Sequence, residues 1–289
     1  MSVLPDYNSP QALKAYLDGH GMAMQKKFGQ NFLVNGSARV RLADALELNE
    51  GSSVWEIGPG LGAMTAELLN RCAERNALLT AFEIDRGFCA ALTDFFGENP
   101  RFSLVPGDVL KTWKNRYREQ GIPDRLFGNL PYNVAAVVLA DFISEGVRFD
   151  AAVVTVQREV AMRMAAAPGT EQYSSFSVLC QWAYDVAPVM DLAGGAFWPR
   201  PAVDSRAVKM TKLAEWPRCK YPGFFMKMQR SLFSSRRKTV KNNLSVFLDD
   251  QERALEVLAK IGIDPQIRAE RLSVDELLAL SDAASGGGM

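Results

Sequence analysis

The sequence predicts an α/β fold: a mostly parallel sheet covered on both faces by helices, followed by a small C-terminal helical domain. Three observations predict it. From Ser53 to Val156, short apolar strand signals alternate with helical ones, and that order packs as a parallel sheet between helical layers. A glycine-rich turn, Glu56-Ile57-Gly58-Pro59-Gly60-Leu61-Gly62, follows the first of these strands and opens a helix. Past Trp216-Pro217 the strand alternation stops and only helical patterns continue. The chain therefore reads as an N-terminal helical extension (1–25), a Rossmann-like sheet domain (26–214) and a helical domain (215–289).

Ser9-Pro10 opens the N-terminal helix, with serine as the cap and proline at the first helical position, and Gly19 ends it. A polar, basic segment runs from Gln25 to Leu33, within which Phe28 to Leu33 reads, taken alone, as a turn. The stretch Ser37 to Leu48 spaces Val40, Leu42, Ala43 and Leu46 as a helix would. Ser53 to Ile57, Leu78 to Glu83, Phe102 to Val105, Asp124 to Phe127 and Ala151 to Val156 read as strands. Ala63 to Cys72, Arg86 to Phe96 and Val134 to Ser144 read as helices among them. Val186 to Leu192 and Val203 to Met210 look like an antiparallel pair closing the sheet. Near the end, Gln251 to Ile261 is a helix stopped by Gly262, and Asp264-Pro265 starts a short turn or helix. Ser273-Val274-Asp275-Glu276 is a capping box ahead of Leu277-Leu278, and the glycine-rich tail from Ser285 reads as disordered.

A chain of 289 residues with 48% apolar content supports one large core and a smaller one. No apolar run reaches membrane-spanning length, and the first residues lack a basic-then-apolar signal pattern. Cys72, Cys89, Cys180 and Cys219 share no C-x-x-C spacing, which argues against a zinc site or disulfide framework and for a reducing cytoplasm. The one histidine, His20, sits between Gly19 and Gly21 in a solvated loop; histidine triads and multi-histidine metal sites are excluded by count. Basic and acidic residues cancel at 33 each, yet from Pro217 to Leu248 eight basic residues meet no acid. They are Arg218, Lys220, Lys227, Arg230, Arg236, Arg237, Lys238 and Lys241. Charge polarised in this way suits a nucleic-acid partner better than the neutral sum suggests.

The run Gly58-x-Gly60-x-x-Ala63 lets a strand turn sharply into a helix and brings backbone N–H groups against a nucleotide-like ligand. The glycines alone do not separate a dehydrogenase from a methyltransferase. Glu83 ends the second strand about twenty residues beyond the turn, where a carboxylate accepts both ribose hydroxyl hydrogens. Asp108, in Gly107-Asp108-Val109, follows the third strand and suits the adenine amino group of a cofactor. Each acid lies just past a strand, on one rim of the sheet.

Gly128-Asn129-Leu130-Pro131-Tyr132-Asn133 indicates the chemistry. The nitrogen on adenine C6 is a poor nucleophile because its lone pair is delocalised into the ring. It must become pyramidal to attack a methyl sulfonium carbon in line. Acceptors aimed at its N–H bonds favour that geometry and the developing positive charge. Asn129 supplies a side-chain carbonyl for one N–H, and the Leu130 backbone carbonyl can take the other. Pro131 has no N–H and a fixed φ, which holds those acceptors in place. Tyr132 offers a ring face for the base, worth about 1–3 kcal/mol per stacked base. A sulfonium donor carries its own leaving group, so no strong general base is required. This pattern points to methyl transfer onto adenine nitrogen.

These residues resemble the ribosomal RNA adenine N6,N6-dimethyltransferases, particularly the type acting on small-subunit (16S) RNA. The resemblance runs from about Lys26 to about Ser273 and rests on separate blocks in order. Beyond the two runs above, they are Lys27-Phe28-Gly29-Gln30-Asn31-Phe32-Leu33, Phe197-x-Pro199-x-Pro201-x-Val203-Asp204-Ser205, Arg236-Arg237-Lys238-Thr239 and Arg268-Ala269-Glu270. The resemblance implies a Rossmann-like S-adenosylmethionine-dependent methyltransferase sheet, S-adenosylmethionine as methyl donor, no metal, and a monomer. Carried over by position, Asn31 and Leu33 border the cofactor, Gly58 lies beneath its methionine end, and Gly60 and Asn129 also belong to the cofactor-binding set. Glu83 holds the ribose, Asp108 the adenine, and Asn129 the reacting region, while Phe197 resembles the family's second aromatic flanking the target base. The family usually has Tyr-Gly where this chain has Tyr173-Ser174, and the helix before Lys26 has no assigned role.

If Lys227 to Lys241 forms one continuous helix, Lys227, Arg230, Arg237, Lys238 and Lys241 fall within an arc of roughly 100°, with Phe225, Met228 and Leu232 largely opposite. Lys227, Arg230, Arg236, Arg237, Lys238 and Lys241 are thus the expected phosphate contacts. The implied partner is 16S rRNA within the small ribosomal subunit or its precursor, and the implied product carries two methyl groups on each of two adjacent adenosines near the 3′ end. A large-subunit (23S) dimethyltransferase of the macrolide-resistance type shares the catalytic motif, but the Arg-Arg-Lys-Thr and Arg-Ala-Glu blocks favour the small subunit. An NAD-dependent oxidoreductase is disfavoured because nothing supplies a hydride-transfer acid or base. A non-catalytic ribosome-assembly factor keeping the fold for binding is the remaining alternative.

Overall fold

The computed structural model describes residues 3–24, 30–130 and 134–286. In chain order its elements begin α1 (Pro10–Gly19), β1 (Phe32–Leu33), α2 (Gly36–Ala45), β2 (Ser53–Ile57), α3 (Ala63–Glu74), β3 (Leu78–Glu83) and α4 (Arg86–Phe96). They continue β4 (Phe102–Pro106), α5 (Val109–Gln120), β5 (Arg125–Asn129), α6 (Ala135–Ser144), β6 (Ala151–Gln157), α7 (Arg158–Met164) and α8 (Ser175–Ala183). The remainder is β7 (Tyr184–Leu192), β8 (Phe197–Trp198), β9 (Ser205–Lys212), α9 (Pro222–Ser234), α10 (Val240–Leu248), α11 (Gln251–Ile261) and α12 (Val274–Ser285).

Seven strands form one sheet in the order β4-β3-β2-β5-β6-β9-β7. β2 pairs in parallel with both β3 and β5, β3 with β4, and β5 with β6, whereas β9 runs antiparallel to β6. From β2 the chain moves outward through β3 and β4, then returns to the other edge of β2 as β5. That reversal opens a crevice at the carboxyl ends of the strands, where ligands of such sheets bind. Ile57 is in register with Phe82 on one side and Gly128 on the other, so Gly58, Glu83 and Asn129 leave the sheet abreast. The central strand signals came from largely buried runs: β6 is buried from Ala151 to Val156, as a strand covered on both faces must be, whereas β4 and β7 at the edges are only partly covered.

Two compact units result: Met1–Asp141 with Val147–Ala161 and Ala187–Thr211, and Phe142–Gly146 with Met162–Val186 and Lys212–Met289. The sequence reading placed residues 162–186 in the sheet domain; here they belong with the helices. The reason is aromatic packing. Trp182, fully buried, lies 5.1 Å from Trp216 and 4.9 Å from Phe225 between ring centroids, and its indole N–H donates to the Pro217 carbonyl at 2.6 Å. Nor is the N-terminal segment a separate extension. Leu13 and Leu17, one turn apart on α1, are buried in the same apolar cluster as Leu42, Leu68 and Phe88, each gaining roughly 1.5–3 kcal/mol from burial.

Helices α5, α7 and α8 have no counterpart in the sequence reading. In α5 only Val109 and Trp113 are buried, so its apolar periodicity is faint. It forms because parallel strands β4 and β5 require a crossover, and because Asp108 caps it by accepting the Leu110 N–H. The expected continuous helix from Lys227 to Lys241 is interrupted. α9 stops at Ser234, and α10 starts behind the Thr239 cap. The buried Asn243 amide closes the break, donating to the carbonyls of Leu232 at 2.8 Å and Ser235 at 3.2 Å. At Tyr173-Ser174, Ser174 has an extended backbone (φ −151°) and forms a capping box with Ser177, so serine serves there where glycine is not required.

Candidate functional site

A pocket at the carboxyl ends of β2, β3 and β5 is lined by Asn31, Leu33, Gly58, Gly60, Glu83, Asn129, Leu130 and Phe197. These are eight of the sequence-predicted residues, drawn from five separated stretches. The glycine turn has φ of +70°, +59° and +87° at Gly58, Gly60 and Gly62, a region that side chains with a Cβ rarely adopt. At Gly60 a Cβ would also come within 3.0 Å of the Phe32 ring, so the backbone can approach a ligand here only without a side chain.

Glu83 is 4% exposed and fastens the turn to the sheet. One carboxylate oxygen accepts the Gly60 N–H at 3.0 Å and the other the Asp85 N–H at 2.8 Å. Each oxygen keeps a second lone pair for a ligand hydroxyl. Burial pushes its carboxyl up to about 7, against the opposing pull of those backbone N–H groups. Glu56, fully enclosed at the end of β2, is pushed up to about 8 by burial, although the Thr65 hydroxyl donates to it at 2.8 Å. Glu56 opens the glycine-turn motif, and the sequence alone assigns it no role. Its signal was an acid at the inward end of an otherwise apolar strand.

Asn129 ends β5 with its amide orientation fixed: Nδ2 donates to the Asn31 carbonyl at 3.0 Å, leaving Oδ1 as the acceptor end. Leu130 is 2% exposed and its N–H donates to the Thr155 carbonyl, which anchors the start of the Asn-Leu-Pro-Tyr run to β6. Pro131, Tyr132 and the residues 25–29, including Lys27 and Phe28, lie outside the described residues. The Phe197 block and the segment before Leu33 come together as a two-stranded ribbon, with Leu33 opposite Phe197 and Phe32 opposite Trp198. Phe32 stacks on Trp198 and meets the ring of Phe88 edge-on. Of the stretch read as a mere turn, Gln30 to Leu33 form a pocket wall, held through Phe32 and Leu33 by a partner strand far along the chain.

Asp108 is not among the pocket-lining residues; it follows β4 and caps α5. Ile84, next to Glu83, lines the pocket while remaining 45% exposed. An apolar residue directly after a strand-end acid was the available signal for it.

In the helical unit, Phe225, Met228 and Leu232 are fully buried, as their spacing implied. Lys227, Arg230, Arg237 and Lys238 are exposed and Lys241 partly so, and none of the five forms an ion pair among the described residues. Arg236 differs. Its guanidinium pairs with Glu270 at 2.9 Å and donates to the Glu171 carbonyl at 3.0 Å, which ties the Arg-Arg-Lys turn to the Arg-Ala-Glu block.

Compared with known proteins, residues 21–285 match the family model described as ribosomal RNA adenine dimethylase. The chain belongs to that family. Among its relatives, the ribosomal RNA small subunit methyltransferase A of Treponema denticola is 44% identical over 96% of this chain and 95% of the relative. The protein of the same name from Streptococcus pneumoniae is 34% identical over 96% of this chain and 97% of its own. Among solved structures, a dimethyladenosine transferase from Plasmodium falciparum superposes with a TM-score of 0.71 at 23% identity, over 85% of this chain and 94% of that one. The 23S rRNA methyltransferase ErmE gives 0.64 at 21% identity, over 88% and 99%. These two structural likenesses establish the Rossmann-like methyltransferase fold. For this adenine dimethylase family member, no group of side chains suited to a metal ion occurs among the described residues. No helix among them is long and apolar enough to cross a membrane.

Proposed function

We propose that this chain uses S-adenosylmethionine to convert two adjacent adenosines near the 3′ end of 16S rRNA into N6,N6-dimethyladenosine. The observation that carries the reading is Asn129, held by the Asn31 carbonyl in the same pocket as the glycine turn and Glu83. The residues present fit the methyl donor. Gly60 leaves room that a Cβ would fill against Phe32, and Glu83 offers a lone pair on each oxygen for ribose hydroxyls. When bound, the donor supplies an activated methyl group and its own leaving group.

The chain's residues bind and orient. Asn129 Oδ1 accepts one N–H of the target amino group and the Leu130 carbonyl the other, favouring the pyramidal nitrogen and its developing charge. Phe197 and Tyr132 supply aromatic faces for a base that has left its stack, a step costing a few kcal/mol. Asn31 and Leu33 border the donor, and Gly58 lies beneath its methionine end. Asp108 takes the adenine amino group of the donor, a reading that rests on its position after β4 and on the family resemblance. Lys227, Arg230, Arg237, Lys238 and Lys241 contact RNA phosphates, with Arg236 shaping the turn that carries two of them. The small-subunit relatives at 34–44% identity support the 16S substrate over the 23S alternative. We infer a monomer acting in the cytoplasm on the small subunit or its precursor.

The test incubates the protein and methyl-labelled S-adenosylmethionine with small subunits lacking adenine dimethylation, beside large subunits and naked RNA. Label recovered as N6,N6-dimethyladenosine from small subunits, and lost in Asn129→Ala, is the expected result. Label from large-subunit RNA alone would move the substrate to 23S rRNA. Absence of label with donor binding intact would leave an assembly factor.

A further inference from the structure

The segment ahead of the pocket makes two hydrogen-bonded ties that no motif accounts for. Tyr7, 7% exposed, donates its hydroxyl to the Leu61 carbonyl at 2.8 Å. Leu61 stands between Gly60 and Gly62 in the glycine turn. Asn8 Oδ1 accepts from Arg39 Nη2 at 2.9 Å, and Arg39 Nη1 donates to the carbonyl of Leu33, a pocket-lining residue, at 2.8 Å. The Arg39 guanidinium, almost wholly buried, lies 6.0 Å from the Tyr7 ring centroid, so the two ties form one assembly. A Cβ on Gly36 would come within 2.8 Å of Asn8 Oδ1, which shows how closely the segment is seated on α2. Further along, Leu13 and Leu17 of α1 are buried in the apolar cluster.

A turn with three positive-φ glycines has much conformational freedom to lose on binding a ligand. Fixing Leu61 and Leu33 beforehand removes part of that ordering cost from the binding step. We propose that Tyr7 and the Asn8–Arg39 pair are positioning residues for the methyl donor, so that the N-terminal segment sets donor affinity and not only stability. The inference rests on the reading of this pocket as the S-adenosylmethionine site.

The experiment compares wild-type protein with Tyr7→Phe and Leu13→Ala by titration calorimetry with S-adenosylmethionine, steady-state kinetics and thermal melting. Tyr7→Phe keeps the ring and its packing. It is expected to raise the donor's Kd and KM about 3- to 10-fold while kcat at saturating donor stays unchanged. Leu13→Ala loses packing on the same segment without touching either tie. It is expected to lower the melting temperature and leave donor affinity unchanged. Normal affinity in Tyr7→Phe beside a normal wild-type titration overturns the positioning role alone, and so does an equal loss in Leu13→Ala. Failure of the wild-type protein to bind the donor overturns the pocket assignment itself.

Discussion

In the sheet unit, Glu83 is 4% exposed and both its oxygens hold backbone N–H groups; in the helical unit, Arg237 and Lys238 stand exposed on a turn without ion-pair partners among the described residues. The pocket groups are positioned to within a hydrogen bond by strands that enter abreast. The cations are held only by the turn that carries them, with Arg236 as its fastening. The contrast follows from the tasks proposed for each. Transfer of a methyl group demands fixed acceptors at one atom, whereas attraction to a polyanion is long-ranged and tolerates mobile side chains. Damage to the pocket should therefore be large and specific, and damage to the basic surface small, additive and dependent on salt.

The sharpest break of this comparison is Asn129→Ala. Loss of one preorganised acceptor is expected to lower kcat about 10²- to 10³-fold with donor affinity retained, read by single-turnover methylation beside calorimetry. Equal loss of donor binding would instead make Asn129 a cofactor ligand. Next in size is Gly60→Val, which forces a branched side chain into φ +59° and against Phe32. With the left-handed backbone alone costing roughly 1–2 kcal/mol, donor affinity should fall about tenfold or more. Unaltered affinity would mean that the turn does not approach the donor.

A third effect is in pH. Burial raises the Glu83 and Glu56 carboxyls to about 7 and about 8, so the folded protein retains protons that the unfolded chain has already released. Stability of the ligand-free protein therefore declines as pH rises from the ordinary glutamate range through about 8, since the native state binds more protons there. Ribose hydroxyls donating to Glu83 favour its charged form, so donor affinity should rise as pH passes through about 7, with proton release on binding. Calorimetry in buffers of different ionisation enthalpy reads that release, and Glu83→Gln should abolish it. The smallest effects belong to the basic surface. Arg237→Ala or Lys238→Ala should each weaken RNA binding a few-fold and reduce the salt slope by about 1. Arg236→Ala removes an exposed ion pair worth about 0–1 kcal/mol. Its effect on RNA binding should come without the full change in slope that a direct phosphate contact gives.

Much of the sheet was legible because its central strands are largely apolar. A run such as Ala151-Ala152-Val153-Val154 between turn signals leaves little choice but a buried strand. The glycine turn and the Asn-Leu-Pro-Tyr run were legible because glycine frees the backbone for positive φ and proline fixes it, and Glu83 because an acid closing an apolar strand stands out. Helix α5 was not legible: Lys111, Lys114, Asn115, Arg116 and Arg118 dilute its two buried positions, and it is required by the topology of β4 and β5. The helical stripe failed for the opposite reason. Its three- and four-residue spacing of cations continues past Ser234 to Lys241, but Asn243, a residue of the next helix, closes α9 from outside.

Residue order alone thus specified the chemical inventory: strands ending in a glycine turn and acids, an asparagine two residues before proline, one cation-rich stretch, and a single histidine, too few for a multi-histidine metal site. Tertiary structure decided which of these meet. The pairing of Leu33 with Phe197, the bond from Asn129 to the Asn31 carbonyl, the tie from Tyr7 to Leu61 and the diversion of Arg236 to Glu270 all join distant parts of the chain. Local pattern carries backbone preference and amphipathic period, both properties of neighbouring residues. A partner many residues away is chosen only when packing closes the loop between them, and no local signal records that choice.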